Sequence, residues 1–295
     1  MELAELEIFR AVAAEQSVTR AARTLERAQS NVTTRIKQLE SDLGVDLFHR
    51  DSKRMTLTPE GQRLLGYADR LLALAEEARQ SMRGDGPSGK LRIGAMESTA
   101  AARLPKPLGR YHAAWPEVGV EIQTGTTAAL VDAVLNHRID CALVAHPGTA
   151  PAREADMADL GPGLEGTWLF SEALVLVLPA NHPKVRSPDD LRVRQLAVFA
   201  RGCTYRGVAE QWLAQGADDA RRHLAVQEMP SYHAILASVS AGTAVGIVPR
   251  SLLALQREVS DLQTVPVRTV HTYLIRRAGF STLAFDAFLK EMRRG

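Results

Sequence analysis

Short stretches of apolar residues at helical spacing fill the first 58 residues. Apolar positions within residues 3–13 predict a first helix, and TRAARTLE predicts a short second helix with Ser17 or Thr19 as its N-cap. A third helix is predicted over residues 28–44, where the last residue is a glycine that can end it in a left-handed conformation. Residues 50–54 form a polar tip between two extended pieces, so this region predicts three helices and a small β-wing.

A heptad repeat of small and apolar residues follows. Spacings of four and three alternate over more than three heptads, through Leu57, Gly61, Leu64, Ala68, Leu71, Ala75, Ala78 and Met82. A helix beginning at Pro59 with so narrow a seam is typical of a coiled coil and needs a partner helix. The repeat therefore predicts a dimerisation helix over residues 59–83. Leu71, near its middle, is the residue whose substitution tests this prediction.

The pattern changes after the segment GDGPSG, which predicts a hinge over residues 84–90. Buried strands such as LRIGA (91–95) then alternate with helices such as one over Ala100–Ala114. Alternation of this kind predicts βαβ units and a parallel sheet. We expect an α/β region at 91–295 with two lobes, lobe I of residues 91–166 and 268–295 and lobe II of residues 167–267.

Composition narrows the class of protein. A length of 295 residues fits about two domains. No apolar run approaches the roughly 18 residues that a membrane helix needs, and the start MELAELEIFR lacks the basic region of a signal peptide. Cys141 and Cys203 form no CxxC pair. We therefore predict a reduced, cytoplasmic protein with no membrane partner, no cofactor and no metal site.

The polar face of the third helix carries amides, hydroxyls and cations in place of the usual Glu/Lys mixture. Gln and Asn can read adenine edges, Thr can contact a thymine methyl, and basic residues can bind phosphates. Residues 1–60 hold nine basic and ten acidic side chains, which opposes this reading, although residues 20–54 hold eight and five. The alternative is a packing module with a solvated third helix. The candidate DNA contacts are Gln29, Ser30, Asn31, Thr33, Thr34, Arg35, Lys37, Arg50, Lys53 and Arg54.

Residues 6–61, LEIFRAVAAEQSVTRAARTLERAQSNVTTRIKQLESDLGVDLFHRDSKRMTLTPEG, resemble the N-terminal domain of LysR-type transcriptional regulators. The resemblance continues at 104–116, 171–183 and 239–249, and QSNVTTRIKQLE, ESTAA and GCTYR are similar to a subgroup that regulates amine and amino-acid metabolism, such as the putrescine-utilisation regulator. One departure is Ala28, where the family usually has a capping Ser, so Gln29 or Ser30 would have to compensate.

The resemblance implies a winged helix-turn-helix, a linker coiled-coil helix and a two-lobed periplasmic-binding-protein-like effector domain. It further implies a non-enzymatic regulator that binds a dyad-symmetric operator in double-stranded DNA as a homodimer or homotetramer. For a regulator of this family, RNA polymerase is a further candidate partner. The rival interpretation is a cytoplasmic solute-binding receptor without DNA readout.

Hydroxyl-bearing residues follow several predicted strands, where ligands bind in open α/β folds. The free amide hydrogens at helix starts can bind an anion, and Arg201 or Arg206 can add charge-assisted hydrogen bonds. The carboxylate of Glu97 can pair with an amine. We therefore predict an amino acid, amine or organic acid as effector. The plain alternatives are helix caps and surface ion pairs, and we interpret Cys203 as a lining residue and not as a redox or catalytic group. The effector-site candidates are Glu97, Ser98, Thr99, Thr126, Thr127, His146, Arg201, Cys203, Thr204, Tyr205, Arg206, Ser231 and Tyr232.

Overall fold

The computed structural model describes residues 1–51, 54–82, 86–148, 161–216, 225–256 and 261–294. The chain forms two compact units. One comprises residues 1–84 with 136–138, and the other comprises residues 85–135 with 139–295.

The N-terminal unit consists of three helices, a two-stranded hairpin and a long helix, as predicted. Its elements are α1 (Leu3–Glu15), α2 (Val18–Thr24), α3 (Gln29–Leu43), β1 (Phe48–Asp51), β2 (Arg54–Leu57) and α4 (Pro59–Ser81). Phe9, Val32, Ile36 and Leu39 are buried together in the core that these elements enclose. Burial of this apolar face supplies most of the free energy that holds such short helices together.

Local capping chemistry sets the helix boundaries. The Ser17 hydroxyl accepts a hydrogen bond from the Arg20 amide at the start of α2. Gly44, with a φ of 68°, ends α3 in the predicted left-handed conformation. Ala28 is the N-cap of α3 and its side chain makes no capping bond. The expected compensation by Gln29 or Ser30 is not seen among the described hydrogen bonds.

The first half of α4 belongs to the core of its own unit, which corrects the expectation that the whole seam faces a partner helix. Ala68 in the first half and Leu72 just past the midpoint are buried in that core. A Cβ on Gly61 would stand 2.1 Å from the carbonyl oxygen of Leu47, so only glycine allows this contact. In the second half Leu71 and Leu74 are exposed, and this half keeps an apolar surface.

The C-terminal unit is built on one eight-stranded sheet in the order β4-β3-β5-β10-β6-β9-β7-β8. Its strands are β3 (Gly89–Ala95), β4 (Val118–Thr124), β5 (Cys141–His146), β6 (Leu164–Leu178), β7 (Gln195–Val198), β8 (Ala225–Glu228), β9 (Val245–Pro249) and β10 (Gln263–Arg277). Its helices among the described residues are α5 (Glu97–Ala102), α6 (Pro105–Ala114), α7 (Thr127–Leu135), α8 (Thr204–Leu213), α9 (Tyr232–Ser240), α10 (Arg250–Leu253) and α11 (Leu283–Arg293).

Two sequence expectations are wrong here. The sheet is mixed and not parallel, because β10 runs antiparallel to both β5 and β6, and β6 runs antiparallel to β9. The helix expected over Ala100–Ala114 is two helices. Arg103 ends α5, and Pro105 begins α6, because proline lacks the amide hydrogen that a continuous helix would require.

The long strands β6 and β10 pair with each other and join the two halves of the sheet. The end of β10, from His271, pairs with β5, whereas the end of β6, from Leu174, pairs with β9. One half therefore contains β4, β3 and β5, and the other contains β9, β7 and β8. The segments that follow β3, β4, β7 and β8 carry the candidate effector residues except His146, which is the last residue of β5.

Candidate functional site

The N-terminal half of α3 presents a polar surface. Gln29, Ser30, Thr34 and Lys37 are exposed, and Thr33 is half-buried with its hydroxyl donating to the Gln29 carbonyl at 2.9 Å. At 3.6 residues per turn these five residues occupy about 140° of the helix circumference. Val32, Ile36 and Leu39 on the opposite side are buried and hold the helix in its unit. The side-chain amides and hydroxyls of this surface are therefore accessible to a binding partner.

Asn31 and Arg35 are also exposed but lie outside this arc, about 60° and 100° beyond Thr34 around the helix. Arg35 has a partner within the unit. Its guanidinium is 3.5 Å from the carboxylate of Glu5, which is buried in α1. The sequence expectation of a phosphate contact did not include this partner. Because one carboxylate already offsets its charge, Arg35 has less positive charge to offer a phosphate than Lys37 has.

The hairpin after α3 has the geometry of a wing. In its antiparallel register Phe48 pairs with Leu57 and Asp51 pairs with Arg54. Arg50 lies in β1, and Arg54 lies in β2 with an exposed side chain. Lys53 lies outside the described residues. A recognition helix with basic residues on an adjacent hairpin can contact base edges and phosphates together.

In the C-terminal unit, loops after four strands enclose a cavity of about 210 Å³. The lining residues come from the starts of α5, α7, α8 and α9 and from the loops before them. They are Met96, Glu97, Thr124, Gly125, Thr126, Phe199, Cys203, Pro230 and Tyr232. Four of the thirteen effector candidates, Glu97, Thr126, Cys203 and Tyr232, thus line one cavity.

Other candidates connect the walls of this cavity. The Thr204 hydroxyl donates to the Thr127 hydroxyl at 2.8 Å, which joins the starts of α8 and α7. The Glu97 carboxylate accepts a 3.1 Å hydrogen bond from the Tyr232 amide at the start of α9. Ser231 caps α9 by accepting from the Ala234 amide. The Thr204–Thr127 and Glu97–Tyr232 bonds hold together segments from the two halves of the sheet, whereas the Ser231 bond is local to α9.

Three buried candidates lie behind the lining. Ser98, Thr99 and Tyr205 are each no more than 3% exposed. The hydroxyls of Ser98 and Tyr205 make no hydrogen bond within the part of the chain that the structure describes. Burial raises the pKa of the Tyr205 and Tyr232 hydroxyls, so both phenols are neutral at pH 7.

The remaining three candidates do not line the cavity. Arg206 is bound by Glu210 and Glu228 at 2.8 and 2.6 Å, and these partners raise its pKa. Arg201 is exposed and lines a different depression beside α8. His146 accepts from the Gly148 amide through Nδ1, and its ring packs edge-on against Tyr273. The expected arginine contribution to effector binding is thus absent from the described lining.

Five lining residues were missed from sequence: Met96, Thr124, Gly125, Phe199 and Pro230. Met96 and Phe199 look like ordinary core residues in the sequence, and Pro230 looks like a loop residue. A search one position before each group of candidates would have found Met96, Gly125 and Pro230, because they directly precede Glu97, Thr126 and Ser231. Phe199 gave no such signal.

Cys203 is the N-cap residue of α8, and its side chain is half-buried. Burial raises the pKa of its thiol, although the amides of Tyr205 and Arg206 act in the opposite direction. A neutral thiol is a weak nucleophile, which agrees with a lining role. Within the described ranges, no group of three or more His, Cys, Asp or Glu residues could hold a metal ion, and no helix is long and apolar enough to cross a membrane.

Family comparisons cover both units. Residues 3–62 match the model of the bacterial regulatory helix-turn-helix proteins of the lysR family, and residues 84–295 match the LysR substrate binding domain. The transcriptional regulator GltR of Bacillus subtilis (strain 168) is 36% identical over 299 residues, covering 99% of this chain and 96% of GltR. SoxR of Arthrobacter sp. (strain TE1826) is 33% identical, covering 99% of this chain and 97% of SoxR.

Known structures share the fold. A full-length OxyR variant from Pseudomonas aeruginosa aligns with a TM-score of 0.72 at 23% identity, over 99% of this chain and 95% of that one. The LysR family regulator CbnR aligns with a TM-score of 0.66 at 25% identity, over 100% of this chain and 99% of CbnR. The chain belongs to the LysR family, as a DNA-binding transcriptional regulator that carries the family's effector-binding domain.

Proposed function

We propose that this regulator reads a dyad-symmetric operator through the exposed face of α3 defined by Gln29, Ser30, Thr33, Thr34 and Lys37, together with Asn31. The observation that carries the proposal is the exposure of amides and hydroxyls on one side of a helix whose other side is buried. Arg35, Arg50, Lys53 and Arg54 supply phosphate contacts. CbnR has been solved with its target DNA, which supports the same mode here.

The effector is proposed to bind in the 210 Å³ cavity of the C-terminal unit. Its class is an amino acid, amine or organic acid, and its contacts include Glu97, Thr126, Cys203 and Tyr232. The other candidates, Ser98, Thr99, Thr127, Thr204, Tyr205 and Ser231, support these residues. A ligand shifts the protein only through its difference in affinity between two states, and the bonds that cross the cavity are the contacts that differ.

The assembly is proposed to be a homodimer or homotetramer, formed through the apolar second half of α4 and working in the cytoplasm with RNA polymerase. The domain boundaries remain those expected from the sequence, at 58, 83 and 90, with lobe I of residues 91–166 and 268–295 and lobe II of residues 167–267. The change of strand partner at Leu174 and His271 supports a division near these positions. We propose no catalytic activity, since the relatives are regulators.

Footprinting and fluorescence anisotropy with the DNA that flanks the gene test the proposal. We expect protection of two half-sites separated by a whole number of helical turns of about 10 base pairs, and much weaker binding to a scrambled duplex. Equal affinity for both duplexes would reject operator reading and favour the solute-binding receptor. Change of the footprint by a ligand that also stabilises the protein would support effector control.

A further inference from the structure

Charge is distributed very unevenly around the cavity. Among its described lining residues Glu97 is the one charged side chain. Cys203 and Tyr232 are uncharged at pH 7, because burial raises the pKa of both groups. The nearby Arg206 is bound to Glu210 and Glu228 and does not line the cavity. A ligand inside therefore meets one full negative charge.

Two of the four helix starts around the cavity, those of α7 and α9, are already occupied by acceptors of the chain. At α7, the Thr126 hydroxyl accepts from the Ala129 amide at 3.3 Å, and the Gly202 carbonyl accepts from the Ala128 amide at 3.1 Å. An anionic ligand would have to displace such acceptors, because it competes for the same amide hydrogens.

The start of α9 is satisfied in the same way. Ser231 accepts from the Ala234 amide at 3.2 Å, and Glu97 accepts from the Tyr232 amide at 3.1 Å. The starts of α5 and α8 have no side-chain cap. Each is equivalent to roughly half a positive charge, whereas Glu97 places a full negative charge in the first turn of α5. A cation is therefore the ligand that can pair with a charged side chain of the cavity lining.

Two aromatic rings complete the site. The centroids of Phe199 and Tyr232 are 4.5 Å apart with an angle of 59° between the ring planes, and both residues line the cavity. Aromatic faces attract cations. The cavity volume of about 210 Å³ suits a small ligand.

We infer that the cavity selects a small cationic amine with a short apolar body over a carboxylate or an amino acid. The ammonium group donates to the Glu97 carboxylate and lies against the Phe199 and Tyr232 rings, and the apolar body contacts Met96. The inference rests on the proposed effector role of the cavity and narrows its ligand class. Glu97 would then bind both the ligand and the Tyr232 amide at the start of α9. The charge of the ligand would therefore act directly on the bond that holds α9 to α5.

Three probes of nearly equal size and different charge test this on the full chain: benzylamine, benzyl alcohol and benzoate. Calorimetric titration should give benzylamine an affinity at least about ten-fold above that of benzyl alcohol, with benzoate the weakest, as expected for one charge-assisted hydrogen bond. Glu97→Gln keeps an acceptor for the Tyr232 amide and should reduce benzylamine to the affinity of the alcohol. Glu121→Gln, an exposed control on β4 paired with Lys90, should change nothing.

Several results would overturn the inference. Tighter binding of benzoate, or benzylamine affinity unchanged in Glu97→Gln, would reject cation selection and leave the cavity as a ligand site. Binding of none of the three probes would reject the effector role of the cavity as well. If Glu97→Gln also loses the alcohol, Phe199→Leu decides, since it should weaken the amine several-fold more than the alcohol, and equal weakening would count against the inference.

Discussion

The Thr204 hydroxyl lies 2.8 Å from the Thr127 hydroxyl and 3.0 Å from the Ala145 carbonyl oxygen. This one side chain joins the start of α8 to the start of α7 and to β5. Since α8 follows β7 in one half of the sheet, and α7 precedes β5 in the other, the contact fastens the two halves beside the cavity. Any effector that changes the separation of the halves must alter it.

Replacing Thr204 with valine keeps the shape of the side chain and removes both hydrogen bonds. We expect the free energy of unfolding to fall by about 1–2 kcal/mol, because the Ala145 carbonyl and the Thr127 hydroxyl each lose a hydrogen-bond partner. Urea denaturation followed by tryptophan fluorescence measures the change. Thr269→Val, at an exposed position of β10, is the control and should have little effect. Equal stability of the two variants would show that the Thr204 bonds add nothing.

Two glycines in α4 provide a matched pair. Gly61→Ala should destabilise the N-terminal unit by about 1–3 kcal/mol, because the new Cβ would meet the Leu47 carbonyl oxygen at 2.1 Å. Gly66→Ala has no atom within 4 Å of its new Cβ and should stabilise the helix by about 0.5–1 kcal/mol. Thermal unfolding measures both, and the same sign of shift for both variants would contradict the packing of α4 on the hairpin.

Gln29→Ala tests base reading by α3. Loss of a bidentate contact should weaken binding to the operator by about 1–3 kcal/mol and leave binding to unrelated DNA nearly unchanged. Gln38→Ala in the same helix removes a side chain that bonds to Asp42 and serves as the control. Fluorescence anisotropy on both duplexes measures the four affinities. An equal loss on operator and unrelated DNA would mean that Gln29 does not read bases.

Leu71→Asp tests the oligomer interface. Leu71 is 39% exposed on α4, and a carboxylate there should prevent burial against a partner helix. Gln62 is also exposed and lies about 180° around the helix, so Gln62→Asp is a charge-matched control. Sedimentation velocity should show monomers for the first variant and intact oligomers for the second. Oligomers in both would place the main interface elsewhere.

His271→Gln tests a pH dependence of stability. Burial lowers the pKa of His271, and the nearby His146 lowers it further. The unfolded chain therefore takes up a proton near the ordinary pKa of about 6.5, while the folded protein resists protonation. The contribution to stability is complete above that pH and is lost as the pH falls through the folded pKa.

Glutamine can still bond to Ser171, which contacts His271 at 2.9 Å, but it does not titrate. We expect His271→Gln to flatten the decline of stability between about pH 7 and pH 5. Urea midpoints across this range measure it. His112→Gln, at an exposed site of α6, should keep the slope of the unchanged protein. An identical slope in the His271 variant would show that another group controls the acid response.

The sequence was sufficient for features that depend on neighbours along the chain. Ser17 at the start of α2, Gly44 at the end of α3 and the wing after it follow from local hydrogen bonding and backbone preference. The family, too, could be identified from sequence, since its motifs are contiguous. The pattern located four lining residues, because strand ends in one sheet meet at a common edge.

Only the tertiary structure decided which charged side chains are already paired within the chain and which can contact DNA or an effector. It pairs Arg35 with Glu5 in the N-terminal unit, and it binds Arg206 to Glu228, which follows it by 22 residues. It also brings Phe199 against Tyr232 and makes the sheet mixed through β10. These outcomes depend on contacts between distant parts of the chain, and ion pairing and burial are set by such contacts, whereas capping and periodicity are set within a few residues.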